Sequence, residues 1–353
     1  MGPKIRISRP LTLFPMNQGI GRVSVGSVNP IIDACTHWFN SAPSPDLYTP
    51  DSSVLTANEL VNNLQTVCQS PARADPQIIG RYLSKTNSLA SENKLCSRDF
   101  VQILHSLARI EESVWAKNNG SSTVESLETL LNDFSRELKR STRFLNSLTH
   151  IDVTVGLTSL VKLRDIPKPQ LLISIARSLY NEIPSRINMF DDHHFGQILN
   201  SMWRLDINDT VIAREIILEL IYHRDVSMFN AQSIVVLASS ISRLPLPSSP
   251  ELLSLWNSIL AGAARVEPHQ MQTNWPNVLL DSYSFSKHLL PDRPPAHNEF
   301  VSRMIKLILK ARETDEKAIV RLINTLKRIG YSEAESLRKI SSHIKQRTNQ
   351  NNS

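Results

Sequence analysis

Glycine is scarce in this chain, 10 residues in 353, against the ~7% of average usage. Phosphate-cradling loops and tight catalytic turns draw on glycine's conformational freedom, whereas helix interiors do better without it. The scarcity therefore argues for helices. The one glycine-rich stretch, GIGRVSVG at 19–26, lacks a preceding strand, a Walker lysine and a following helix, so it is no phosphate loop. Cysteine is scarcer still: Cys35, Cys68 and Cys96 are odd in number and without C-x-x-C spacing. That argues against a disulfide framework and reads as reduced thiols in a non-secretory compartment. Long apolar runs are missing too. IVVLA and IILELIY fall far short of the ~20 residues of a membrane-spanning helix.

Catalytic motifs are also wanting. No G-x-S-x-G, D-x-D-x-D-G or S-x-x-K stands in usable context, and nothing in the sequence pairs Cys96 with a His or Asn. The expectation is a protein that is not an enzyme, with no cofactor, no metal and no small-molecule substrate.

Acidic residues are absent before Asp33, while the same stretch holds Lys4, Arg6, Arg9 and Arg22. This is the composition of an organellar transit peptide, mitochondrial before plastid; the alternative is a basic arm kept in the mature chain, lying on something acidic. The net charge is +6, and the ends carry it. Residues 301–353 hold more than twice as many Lys and Arg as Asp and Glu, which leaves 33–300 net negative.

What fills the body is a degenerate repeat. QILHSLARI (102–110), GLTSLVKL (156–163), QILNSMWRL (197–205), VLASSISRL (236–244) and RLINTLKRI (321–329) share apolar residues three apart, one face of a helix. A decayed copy, VLLDSYSFSKHLL (278–290), fills the double gap. The period is roughly 40 residues, that of a two-helix unit in an α-solenoid. Second helices are expected over 169–180, 209–223, 249–263, 298–311 and 332–345. Asp209, Ser249, Asn298 and Ser332 are their expected N-caps, and proline-bearing connectors such as RLPLPSSP precede them. A first pair is expected at 56–69 and 75–86, a further second helix at 122–141, and a loop at KNNGSST (117–123). The fold class is all-α, an α-solenoid of about six to seven helix-turn-helix repeats of roughly 40 residues. Residues 1–54 form a basic arm or targeting segment and linker, 55–345 the solenoid with basic C-terminal helices from 301, and 346–353 a polar tail.

The L-x-x-L-x-x-L first helix ending in a basic residue, recurring over about 97–345, resembles the octotricopeptide/heptatricopeptide class of organellar helical-repeat proteins, relatives of FAST-kinase-like and RAP-containing proteins. The resemblance implies RNA metabolism in mitochondria or plastids, and for some members a place in the mitochondrial ribosome. The chain departs from the class in having no C-terminal RAP-type module and in its net-acidic repeat body. Both departures favour a structural part over an autonomous RNA-processing factor.

The paired His193-His194 in DDHHFGQIL falls, by alignment with CSRDF, THIDVT, FNAQS and TDEKA, at the approach and first turn of a repeat's first helix. Adjacent side chains diverge by about 100° on a helix, so the expectation is a helix cap and no metal site. The basic residue before each motif's last apolar position is more telling: Arg109, Lys162, Arg204, Arg243 and Arg328. Arg204 lies about 200° around the helix from Met202 and is expected to face solvent. Stacked units would line these cations along one surface, either as a phosphate-contacting stripe or as ordinary cations favoured at helix C-termini. Trp203 beside Arg204 could stack a base or pack at a helix rim; Trp115, Trp256 and Trp275 read as core or interface residues. Arg303, Lys306, Lys310, Arg321, Lys327, Arg328, Arg338, Lys339 and Lys345 place positive charge on the last helices, and Arg136, Lys139, Arg140 and Arg143 form a local cluster. With the N-terminal Lys4, Arg6, Arg9 and Arg22, these are the candidate RNA-binding residues. The functional expectation is a non-catalytic component of a mitochondrial ribonucleoprotein, the mitochondrial ribosome first, contacting rRNA through backbone phosphates and packing on neighbouring proteins. The alternatives are a freestanding organellar RNA-binding factor or a protein-only scaffold in a respiratory complex.

Overall fold

A computed structural model describes residues 56–69, 76–110, 122–310 and 316–331, with Trp115 and Ser342. The arm and linker at 1–54, the loop at 117–121, the helix expected over 332–345 with its cap Ser332, and the 346–353 tail lie outside the described residues. In chain order the helices are α1 (Ala57–Gln69), α2 (Pro76–Ser91), α3 (Ser97–Leu107), α4 (Ser122–Arg140) and α5 (Thr142–Asn146). There follow α6 (His150–Lys162), α7 (Pro169–Tyr180), α8 (Ile183–Arg186), α9 (Asp192–Arg204) and α10 (Thr210–Tyr222). The last five are α11 (Ala231–Ile241), α12 (Pro250–Arg265), α13 (Trp275–Ser286), α14 (His297–Lys310) and α15 (Glu316–Ile329). Among the described residues there is no strand, and no helix is long and apolar enough to cross a membrane.

The helices form two layers. In layer A, α1, α3, α6, α9, α11, α13 and α15 pack each on the next. In layer B, α2 packs on α4, α4 on α7, α10 on α12 and α12 on α14, while the short α8 and the following 3-10 turn Ile187–Met189 contact α10. This is the all-α solenoid of two-helix units. Hydrogen bonds between units keep the period: Arg224 Nη2 donates to the Asn188 carbonyl 36 residues away, Asn87 Nδ2 to the Ser126 carbonyl 39 away, and Ser240 Oγ to the Gly196 carbonyl 44 away. The second unit is longer, and its Ser97–Ser147 hydroxyl pair spans 50 residues. Its additional residues include 111–121 and α5.

The apolar faces meet between the layers, where Trp256, Tyr180, Tyr283, Phe100, Phe134, Phe195 and Phe300 are wholly buried. α7 begins at its expected residue because Pro169 sits in the first turn, where its missing N–H costs nothing. Asp209 and Ser249 cap α10 and α12, accepting from Ile212 N and Leu252 N at 3.1 Å each. Asn298 does not cap α14, which starts one residue earlier at His297. There the Ala296 N–H donates to Asn257 Oδ1 of α12 at 3.0 Å, a tie from the neighbouring unit that local sequence cannot announce.

Candidate nucleic-acid interface

Most A helices open with the same device. The backbone N–H of the residue before the helix donates to a side chain three residues on: Thr56 N to Glu59 Oε2 (2.9 Å), Cys96 N to Asp99 Oδ2 (2.8 Å) and Thr149 N to Asp152 Oδ2 (2.9 Å). In α9 the acceptor is a histidine ring: Asp191 N donates to His194 Nδ1 at 3.0 Å. At α11 the direction reverses, and Asn230 Oδ1 accepts from Ser233 N at 2.9 Å. The histidine pair is thus one variant of a repeated cap.

One expectation about that pair fails. The two rings do not diverge; their centroids lie 3.9 Å apart, and ligand atoms of Asp191, His193 and His194 fall within 4.8 Å of one another. The cap bond is the cause, because it draws the His194 ring back over the first turn and beside His193. The same bond governs what the cluster can hold. Burial lowers the His194 pKa to about 4, with His193 and His150 adding positive charge against protonation. The neutral ring keeps its proton on Nε2 while Nδ1 accepts from Asp191. A cation could take either nitrogen only by breaking the cap or stripping that proton.

Towards the C-terminal ends of the A helices a second pattern appears that was not expected. Ser106, Ser159, Ser201, Ser240 and Thr325 each stand three residues before the basic residue of the motif, and all are buried to 1% exposure or less. Ser106, Ser159 and Ser240 donate to the carbonyl one turn back, at 2.9, 2.7 and 2.7 Å. A small side chain whose hydroxyl is satisfied inside its own helix lets neighbouring A helices come close. Reading the motifs one column to the left of the apolar stripe would have found it.

Three residues on, in the last helical turn or just past it, come the cations. Arg109, Lys162 and Arg204 are half-buried, while Arg243 and Arg328 are exposed. Since each A helix packs on the next, this is a row at one edge of layer A. The members sense one another. Burial lowers the His105 pKa to about 4, helped by Lys162 and Arg109, and burial lowers that of Arg204, helped by Arg164 and Arg243. Farther along, Arg328 lies 6.0 Å from the Phe285 ring, and Lys287 Nζ and Arg293 Nη2 donate to the Arg328 and Gly330 carbonyls that end α15.

Arg204 does not stand free in solvent as the single-helix projection has it. Its guanidinium carbon sits 4.4 Å from the centroid of Trp203, and that of Arg243 from the next unit sits 4.7 Å from the same centroid. The projection treats a helix alone; here α11 brings Arg243 against α9. Trp203 is half-buried against the core and engaged by two guanidinium groups. It serves as their platform.

The other candidate cations are spread between the layers. On α14, in layer B, Arg303 is half-buried and donates to the Val266 carbonyl at 3.3 Å, whereas Lys306 and Lys310 are exposed. On α15, in layer A, Arg321 pairs with Asp281 of α13, and Lys327 and Arg328 are exposed. Arg136 pairs with Asp133 at 2.8 Å, and Lys139, Arg140 and Arg143 are exposed beside it. Lys4, Arg6, Arg9, Arg22, Arg338, Lys339 and Lys345 lie outside the described residues. No protein-family model matches the chain, and no curated protein matches it significantly.

Proposed function

We propose that the protein is a non-catalytic, RNA-associated helical-repeat component of a mitochondrial ribonucleoprotein, with the mitochondrial ribosome as the assembly it fits best. The observation that carries this reading is the row of cations along layer A, one from each of five of its seven helices: Arg109 after α3, Lys162 on α6, Arg204 on α9, Arg243 after α11 and Arg328 on α15. A polyanion with a charge at every link is the partner such a row suits. The exposed Lys306, Lys310, Lys327 and Arg328 would add contacts from the C-terminal helices, and the net-acidic remainder would lie against neighbouring proteins. Three polar groups of the interior have structural roles: His194 caps α9, Tyr180 Oη bonds Ser201 Oγ at 2.7 Å, and Tyr283 Oη bonds His297 Nδ1 at 2.8 Å. That supports a scaffold over an enzyme. The resemblance to octotricopeptide-type proteins points the same way.

Gradient sedimentation of mitochondrial lysate, with and without RNase, tests the reading. Co-migration with ribosomal subunits that collapses under RNase is the expected result. A small RNase-sensitive species would move the protein to the freestanding RNA-binding factors. A large complex indifferent to RNase would make it a protein-only scaffold and overturn the proposal.

A further inference from the structure

We infer that Arg204 and Arg243, seated on Trp203 where α9 meets α11, form a clamp for the backbone phosphates of single-stranded RNA. The inference rests on the proposed RNA association and gives it a place on the molecule.

Two other partly buried arginines have carboxylate partners, Arg186 with Glu182 and Arg224 with Glu219, and the half-buried Arg303 donates to the Val266 carbonyl. Among the described residues Arg204 and Arg243 are in no ion pair. Asp281 is near enough to act on Arg243 through space, yet its own bond goes to Arg321. The two guanidinium carbons are no farther apart than the sum of their 4.4 and 4.7 Å distances to one ring centre. The two like charges repel through space, and the half-buried Arg204 also loses hydration; a bound anion relieves both costs.

The platform also selects the kind of anion. A guanidinium against an indole is held in a fixed plane, which orients its N–H edge for bidentate bonding to the two free oxygens of a phosphodiester. Arg243 spends part of its edge on Ser239, donating to the carbonyl at 3.0 Å, and keeps its remaining donors. Arg164, itself paired with Asp165 at 3.1 Å, is close enough to act on Arg204. Helix axes pack about 8–10 Å apart, so α3, α6, α9 and α11 offer a strand a series of stepped cations whatever its base sequence. The indole already carries the two guanidinium groups, which leaves recognition to the backbone. An acidic polypeptide is the competing occupant, and the experiment separates the two.

The test uses the full chain and fluorescence anisotropy with labelled single-stranded oligouridylate and oligoadenylate over a salt series. Arg204→Gln with Arg243→Gln is expected to weaken both oligonucleotides about tenfold and to make the salt slope shallower by about 1.4, at ~0.7 for each phosphate that is no longer neutralised. Arg204→Lys with Arg243→Lys, which keeps charge but loses the stacked fork, is expected to recover only part of the affinity. It also guards against a folding artefact, checked by thermal melts of both variants. The clamp is overturned if the glutamine variant binds both oligonucleotides with unchanged affinity and slope. It is equally overturned if the loss is confined to one base, or if only polyglutamate binding depends on the pair. If the wild-type chain binds neither oligonucleotide at low salt, the RNA association itself falls, a distinct result.

Discussion

His194 carries its repeat's cap on a titratable ring where α3 and α6 use Asp99 and Asp152. Its pKa is lowered to about 4, as are those of His105 and His297, each mainly by burial. A histidine held neutral in the fold but binding a proton near pH 6.5 once unfolded makes its full contribution above ~6.5. The contribution is lost as pH falls from there towards 4, and levels off below, where the folded ring protonates too. His194→Ala should therefore cost about 1–2 kcal/mol at neutral pH, because the cap and the packing of the ring both go. The gap to wild type should close as pH approaches 4. Urea midpoints of both proteins across that range check the sign. A gap that widens on acidification would mean that the ring is charged in the fold.

At the scale of the helix, packing between units decides what a position tolerates. Gly262 of α12 lies against the 3-10 turn Val226–Met228: an added Cβ would meet Ile234 Cδ1 at 2.9 Å and the Ser227 carbonyl oxygen at 3.0 Å. Alanine is the better helix former by roughly 1 kcal/mol, but the Ser227 backbone cannot yield as a side-chain tip can. Gly262→Ala should then destabilise by about 1–3 kcal/mol, read as a fall in thermal midpoint. An unchanged or higher midpoint would show that the turn moves aside freely. Helices whose signals are local were legible in advance, such as α7 with Pro169 at its start and α10 behind Asp209. The start of α14 was not, because Asn257 and Tyr283 set it from other helices. The row of cations was legible by residue type and spacing. That Arg204 and Arg243 share Trp203 was not, since it depends on how α11 sits against α9.

Across the whole molecule each unit touches its neighbours and little else, so stability should behave as a sum of unit and interface terms along the chain. Phe134 tests this. It is wholly buried on α4, stacked on Phe100 of α3 with centroids 5.0 Å apart and edge-on to Phe144 of α5 at 6.1 Å. Phe134→Ala should cost about 3–5 kcal/mol, and the damage should stay local. Hydrogen exchange is expected to quicken across α2 to α7, where helices touch α4 directly or at one remove, and to stay at wild-type rates from α11 to α14. Equal loss of protection along the entire chain would mean that the units fold as one cooperative block. The row of cations would then be a single rigid surface, and a substitution in one unit would disturb the proposed RNA binding in all of them. With local damage, by contrast, the Arg204–Trp203–Arg243 junction survives the loss of Phe134, and Arg204→Gln with Arg243→Gln should weaken the proposed RNA binding by the same factor on that variant as on wild type while its first units are already loosened.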